Sequence, residues 1–518
     1  MRAIDLLLDI GDVSAAASAV TDVGRALIQT PGGRVPRSWL SRFDADQLAS
    51  EPWLALLSGL AAIEDGDIGS AAGLLAPVVD AMRDQQDRTG LVRSAYGLAE
   101  THLARGEVAE AATLIDELVR IDTTPDERVK VLMGQLWLDY FGGDWAAVGA
   151  GLDEAFTLAF TSCAELGRCT LALGLGTEFL FGPRGAQWLH DHCVELALRI
   201  RSDAMAATSL EVIQAAAHLI GGDVSSAEEL AEGIDERALE LGSLNWLAMA
   251  SDRVRLGLAL AQGDHQRLDT IVDAARQVFG SSDRHHQERA MYAYATARSG
   301  WLAGRPARVR AASVLLGSVD PQDRPDTTVT AAVIASMVHR QEGDVAAAEQ
   351  ALLEVRDLHH VTRFCLVTGL VDLELASIYL GQGRATDAVE AARPGLRSLA
   401  RLDGVGLLAL DGADTHRAVL DACRHDPELA PFAGRALDRL GRPVDSGGVV
   451  VPDTMARLTV RELDVIRQVM TGASNREVGE RLFIGERTVK SHMTSLMRKL
   501  NVTSRTAAIA RAHELGIS

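Results

Sequence analysis

The stretch that decides the C-terminal fold is LTVRELDVIRQVMTGASNREVGERLFIGERTVKSHMTSLMRKLNVTSRTAAIARAHELGIS, from Leu458 to Ser518. Four short helices can be read from it. Thr459 with Glu462 forms a capping box that opens the first, and Gly472 ends it. Ser474 with Glu477 forms a second box. The helix from Ser474 to about Leu482 is too short to stand alone and must pack on its neighbours. Gly485 then breaks the chain, and a third helix is expected from about Glu486 to Leu500. Thr503 or Ser504 caps a fourth, which Gly516 closes. Two helices joined by a tight turn containing glycine describe a helix-turn-helix.

The third helix has two faces. Val489, Met493, Leu496 and Leu500 recur at helical spacing and form an apolar stripe. Arg487, Lys490, Ser491, Thr494 and Arg498 fall opposite it; they are basic or small and polar, and none is acidic. Such a face suits a major groove, because cations favour approach to phosphates and short hydroxyls let the backbone come near base edges. An ordinary solvated helix face would look the same if it stood alone.

It does not stand alone. LTVRE at 458–462, GASNREV at 472–478, LFIGERTVKSH at 482–492 and KLNV at 499–502 follow the order and spacing of a known domain. The stretch closely resembles the DNA-binding domain of LuxR-type transcription regulators. The resemblance implies that the third helix enters the major groove, with Lys490, Ser491 and Thr494 foremost among the base-reading residues and Arg487 and Arg498 beside them. It also implies DNA-backbone contacts from Ser474, Asn475, Arg476, Thr488, Lys499 and Arg505. One position departs from the pattern: Gly485 stands where the family usually has Ser or Thr before the recognition helix. Glycine is an acceptable N-cap, so this touches one cap and one phosphate contact rather than the fold. Ala507, Ala508, Ala510 and Ala512 on the fourth helix fit either the family's dimer contact or plain packing on the first helix.

From Arg457 onward the chain carries 11 Lys and Arg against 6 Asp and Glu, leaving 40 against 65 in the rest, for a net charge of −20. A basic reader on an acidic body is the asymmetry of a chain that touches nucleic acid at one end only. Five cysteines without a close pairing pattern point to a reducing compartment. His190, His192 and Cys193 point in different directions on a helix and do not converge on a metal, and no metal or other cofactor is expected. The first turns carry Asp5 and Asp9 and do not read as a signal peptide. No run of about 18 apolar residues occurs, so no membrane partner is expected and a cytoplasmic location is.

Before the reader, a short turn keeps returning: glycine, a polar residue, then an alanine-rich helix start. It occurs at Gly11, Gly66, Gly106, Gly143, Gly182, Gly222, Gly263, Gly304, Gly343 and Gly383, and from Gly106 the spacings are 37, 39, 40, 41, 41, 39 and 40. Each unit reads as a helical hairpin, in which glycine takes the left-handed helix end and aspartate caps the next helix. One hairpin cannot bury both faces, so the units must stack. The expected architecture is all-α: a tetratricopeptide-like solenoid of period about 40 over residues 1–441, a linker over 442–456, and the helix-turn-helix over 457–518. The linker, RPVDSGGVVVPDTMA, is broken by Pro443, Ser446–Gly448 and Pro452, and reads as a tether or as a short extended contact through Val449–Val451.

Between Gly11 and Gly66 an extra segment with Pro31–Gly33 (Pro-Gly-Gly), Trp39 and Pro52–Leu54 interrupts the stacking. It resembles the start of the superhelical sensor domain of the large MalT-like regulators, in which an ATPase, such a solenoid and the same helix-turn-helix follow one another. This sequence departs from them, because no G-x-x-x-x-G-K-[ST] loop is present; the resemblance implies a chain that starts where their ATPase would end. Nucleotide hydrolysis, or any other enzyme activity, is not expected. Nor is a phosphorylated receiver domain or an α/β autoinducer-binding domain, since no alternating strand–helix block occurs.

The few aromatic residues cluster: Trp137, Tyr140, Phe141 and Trp145 in one hairpin, and Phe179, Phe181 and Trp188 in the next. They line a ligand pocket or form the core between stacked hairpins. The leading expectation is a sequence-specific transcription regulator, an activator by family analogy. It would act on double-stranded DNA as a homodimer, engage RNA polymerase, and receive a small-molecule or protein effector at the solenoid. The alternative is a solenoid scaffold for protein interactions with a weak accessory DNA-binding tail.

Overall fold

The computed structural model describes residues 2–517 except 66, 106, 143, 176–185, 241–244, 280–285, 317–324, 358–369, 413–414, 442–457, 459 and 483–485, together with most side chains within its helices. Among the described residues every regular element is helical. The glycine turns fall between paired helices: Ala204–Gly221 with Val224–Glu240, Asn245–Gln262 with His265–Phe279, and Pro325–Glu342 with Val345–Glu354, among others. The mechanism is the one the turn chemistry dictates. Gly222 and Gly343 take φ of 86° and 83°, which costs glycine nothing and a β-carbon much. The aspartate that follows then accepts a backbone N–H of the next helix: Asp12 from Ala15, Asp67 from Ser70, Asp144 from Ala147, Asp223 from Ser226 and Asp344 from Ala347.

The extra N-terminal segment folds as two short helices, Arg37–Leu40 and Ala45–Ser50, the second opened by a capping box of Asp44 and Gln47. Pro52 then starts the helix Pro52–Glu64 at its first position. Trp39 and Trp53 are buried, and their indole N–H groups donate to Asp5 (2.7 Å) and Asp87 (2.8 Å).

Stacked hairpins coil, and this coil closes on itself. Arg34 reaches Met205 Sδ at 3.3 Å, and Arg439 donates to the carbonyl of Gly221 at 3.0 Å. Inside the turn lies the helix Val405–Leu410, all six of whose residues are buried, packed on Ala204–Gly221 and Asn245–Gln262. The solenoid is therefore not an open groove at its middle; its own C-terminal segment fills it. Gly406 makes this approach feasible, since a β-carbon there would collide with the Leu219 and Ile220 carbonyls and the Gly222 nitrogen, none of which can swing aside. Gly406→Ala is expected to cost about 1–3 kcal/mol through overpacking. The loss would register as faster hydrogen exchange in residues 405–410 than in the N-terminal hairpins.

A buried charged cluster anchors this plug. The Arg298 guanidinium, fully buried, lies 2.5 Å from Glu374 and 3.5 Å from Asp411, and its Nε donates to the Tyr294 hydroxyl at 3.1 Å. The Tyr294 hydroxyl donates to Asp411, which also pairs with His416 Nε2 at 2.8 Å, while Arg340 meets Glu374 at 2.8 Å. Burial opposes the charge on Arg298, but Asp411, Tyr294 and Glu374 hold its pKa well above the ordinary value. Burial likewise opposes ionisation of Glu374 and Asp411, and the cations around them win, keeping both carboxyls below their usual range. Glu374, Asp411 and His416 bring metal-ligand atoms within 4.8 Å of one another. The positive charge such a trio calls for is already supplied by the guanidinium.

A second interior charge, on a half-buried side chain, sits in the N-terminal half. The Lys130 ammonium lies 5.0 Å from the Tyr96 ring centre, and Glu100 is its electrostatic partner. Burial, then the nearby Arg93 charge, lower the Lys130 pKa to about 7 despite Glu100. Since the chain has only three lysines, competitive acylation followed by mass spectrometry reads this site cleanly. Lys130 is expected to gain reactivity through pH 7 rather than through the ordinary range near ~10.4. The unfolded chain holds this proton more tightly than the folded one. The penalty is therefore full below pH 7 and relaxes as pH rises from 7 toward the unfolded value.

The aromatic candidates are placed as follows. Trp137 and Trp188 pack, partly buried, against the body's core, and Trp188 meets Phe156 edge-on at 5.4 Å and His192 at 3.9 Å. Tyr140, Phe141 and Trp145 lie on described helices, but their side chains are outside the described residues, as are Phe179 and Phe181 altogether. His190 faces His218, His192 faces Trp188 and Cys193 is fully buried, so the three have separate surroundings.

The last helix of the body, Ala430–Gly441, and the first helix of the C-terminal module, Val460–Met470, flank the linker stretch, which lies outside the described residues. The module has a hydrophobic core of its own, built from Leu463, Ile466, Val469, Val478, Val489, Met493, Leu496 and Leu500 with Ala508 and Ala512. No helix among the described residues is long and apolar enough to cross a membrane.

Candidate nucleic-acid interface

The module's four helices are Val460–Met470, Asn475–Leu482, Glu486–Lys499 and Arg505–Glu514. Gly472 turns the chain out of the first helix with φ of 88°. Ser474 opens the second helix by the expected reciprocal box: the Ser474 N–H donates to Glu477 at 2.7 Å, and the Glu477 N–H to Ser474 Oγ at 3.3 Å. The Ser474 hydroxyl also donates to the Glu477 carboxylate at 2.8 Å, and the two bonds that Ser474 donates, backbone first, keep that carboxyl below its ordinary pKa. Ser504 caps the fourth helix by accepting from the Ala507 N–H at 3.1 Å. The capping role assigned to Thr459, and the break at Gly485, lie outside the described residues.

The third helix turns its apolar stripe inward. Val489, Met493, Leu496 and Leu500 are all buried in the module's core. Lys490 and Thr494 are exposed on the opposite side, one turn apart. The Thr494 hydroxyl donates to the Lys490 carbonyl at 3.0 Å, which leaves its oxygen able to accept. Arg487, Thr488, Ser491 and Arg498 lie on this helix with side chains outside the described residues.

The residues assigned to the DNA backbone divide. Ser474 and Arg476 are exposed at the start of the second helix. Asn475 and Arg505 are brought together, because Arg505 donates to Asn475 Oδ1 at 2.6 Å and to the Ala473 carbonyl. One guanidinium thus ties the start of the fourth helix to the start of the second, fixing the angle at which the second and third helices present themselves. Lys499 is turned inward: its side chain is 10 % exposed, and its ammonium lies 3.2 Å from the buried Glu462 carboxylate. Neither the Arg505 clamp nor the Lys499–Glu462 pair is visible in local spacing, since the partners are 30 and 37 residues apart. Of the four fourth-helix alanines, Ala508 and Ala512 are buried in the module's core, Ala507 is half-buried and Ala510 is exposed.

This geometry defines a helix-turn-helix module with an exposed polar face on its third helix. Residues 456–512 match the family described as "Bacterial regulatory proteins, luxR family". The C-terminal module is a LuxR-family helix-turn-helix domain. The chain is 38 % identical over 102 residues to the "Transcriptional regulatory protein LiaR" of Bacillus subtilis, covering 20 % of this chain and 46 % of that one. It is 57 % identical over 51 residues to a "Nitrate/nitrite response regulator protein homolog" of Haemophilus influenzae, covering 10 % and 24 %. It is 50 % identical over 56 residues to the "Nitrate/nitrite response regulator protein NarP" of Escherichia coli, covering 11 % and 26 %. The chain thus spans from about a quarter to just under half the length of these relatives. A solved structure, the "Crystal structure of APC/C hetero-tetramer Cut9-Hcn1", aligns over 84 % of this chain and 92 % of its own at 14 % identity, with a TM-score of 0.29.

Proposed function

We propose that the chain is a sequence-specific transcription regulator, in which the helix Glu486–Lys499 reads the major groove and the solenoid receives the regulating signal. The observation that carries this is the division of that helix. Its apolar stripe is buried in the module's core, and the opposite face, with Lys490 and Thr494, is exposed and has the chemistry of a DNA reader. Relatives whose names describe regulatory proteins support the same reading.

The module would bind as a homodimer on two half-sites about one helical turn apart. Ala510 and the outer edge of Ala507 are the small residues still available for a dimer contact. Activation through RNA polymerase, and an effector at the solenoid, belong to the same proposal. The filled middle of the superhelix limits where such an effector could sit without displacing Val405–Leu410.

The test is selection of bound sequences from random duplex DNA by the full chain, followed by a salt titration. Enrichment of one inverted-repeat motif, with affinity falling steeply as salt rises, is the expected result. Failure to enrich any motif at low salt would overturn the reading.

A further inference from the structure

Among the described residues, the body meets the module at the helix Val224–Glu240. The helix Val224–Glu240 packs on the module's first helix, Val460–Met470, and Glu232 lies 3.5 Å from the Lys499 ammonium. Val224–Glu240 carries six acidic residues against one arginine, on a body whose excess charge is negative; the module's excess is positive. Lys490 and Thr494 are exposed in the same arrangement, and Lys499, which meets Glu232, is the last residue of the third helix.

We infer that the acidic face of Val224–Glu240 is a seat for this chain's own DNA-binding module, and that it holds the module through Glu232, which adds a second carboxylate to the Lys499–Glu462 pair, and through the packing of the two helices. The inference rests on the reading of the chain as a DNA-binding regulator. The seat is acidic and the module's excess charge is positive, so the seat and the phosphates of a duplex compete for the module as a whole. The grip is shallow by construction. Glu232 and Glu462 share one ammonium, and their mutual repulsion works against the contact. Burial first, and then the Glu462 charge, raise the Glu232 carboxyl despite Lys499. A partly exposed pair of this kind contributes little on its own, which suits a seat that a duplex or an effector-driven shift of the hairpin can empty.

The test compares the full chain with Glu232→Lys, which makes the seat repel Lys499, and Glu232→Gln, which removes its charge and keeps the shape. Hydrogen exchange without DNA is expected to quicken in both 224–240 and 460–470 in Glu232→Lys, and less in Glu232→Gln, while the distant hairpins stay unchanged. Affinity for a random-sequence duplex pool at low salt is expected to rise about two- to tenfold in Glu232→Lys, with the gain shrinking as salt is added. Unchanged exchange in both segments overturns the seat, whatever the DNA result. If exchange changes as expected but neither the wild type nor the variants bind DNA, the seat stands and the DNA-binding reading fails. If Lys490→Glu abolishes binding while the Glu232 variants alter neither exchange nor affinity, the reading stands and the seat fails.

Discussion

Lys490→Glu is expected to lower the full chain's affinity for its selected duplex by about 10²-fold or more, without unfolding the module. Lys490 is exposed on the face opposite the buried stripe, so the substitution leaves the core of Val489, Met493 and Leu496 intact. A specific base contact or a close phosphate contact from such a position is worth ~1–3 kcal/mol, and a carboxylate in its place adds repulsion from the phosphates. Lys490→Ala separates the two modes. If the residue positions the backbone, affinity falls alike for all sequences and the salt slope becomes shallower by about one; if it reads a base edge, preference at one base pair relaxes. Retained affinity in Lys490→Glu, with the melting of the module unchanged, would mean that DNA is held elsewhere on the chain.

The second large effect concerns the body. Arg298→Leu is expected to destabilise the solenoid by about 3–5 kcal/mol, because it strands Glu374 and Asp411 in the interior with Arg340 and His416 as their remaining charged or ionisable partners in the cluster. All seven tryptophans precede the linker, so indole fluorescence follows the body's unfolding and not the module's. The double change Arg298→Met with Glu374→Leu removes one opposing charge as well, and is expected to recover part of the loss. A shift worth less than about 1 kcal/mol would show that water reaches the cluster. The pH dependence has a definite sign. Glu374 and Asp411 are held below their ordinary range, so their contribution is complete at neutral pH and is lost as pH falls through their lowered folded values. In Arg298→Leu much of that acid-side loss should already have been incurred at neutral pH.

Much of the architecture was legible because its signals are local. The Gly-Asp turns announce each hairpin through two adjacent residues, one supplying a positive φ and the other a cap. The box at Ser474 and Glu477 spans a single turn. The stripe at Val489, Met493, Leu496 and Leu500 shows its period within one helix. These features act over a few residues, and the same physics operates whether or not the rest of the chain is in place. The exposed polar face of the third helix followed from the stripe, since a helix that buries one side must present the other.

What the tertiary structure alone decided are the contacts between residues far apart in the chain. Nothing in VGLLAL marks residues 405–410 as the filling of the superhelix, because an apolar run looks the same on any packed helix. Arg298 and Glu374 are 76 residues apart, and Tyr294 and Asp411 117 apart. Lys499 had the appearance of a phosphate contact, yet it pairs with Glu462 in its own module and lies beside Glu232 in the body. Charges of this kind carry no periodicity and no turn chemistry. Which partner each one finds depends on how the hairpins coil and where the module comes to rest, and so on the sum of packing over the whole chain.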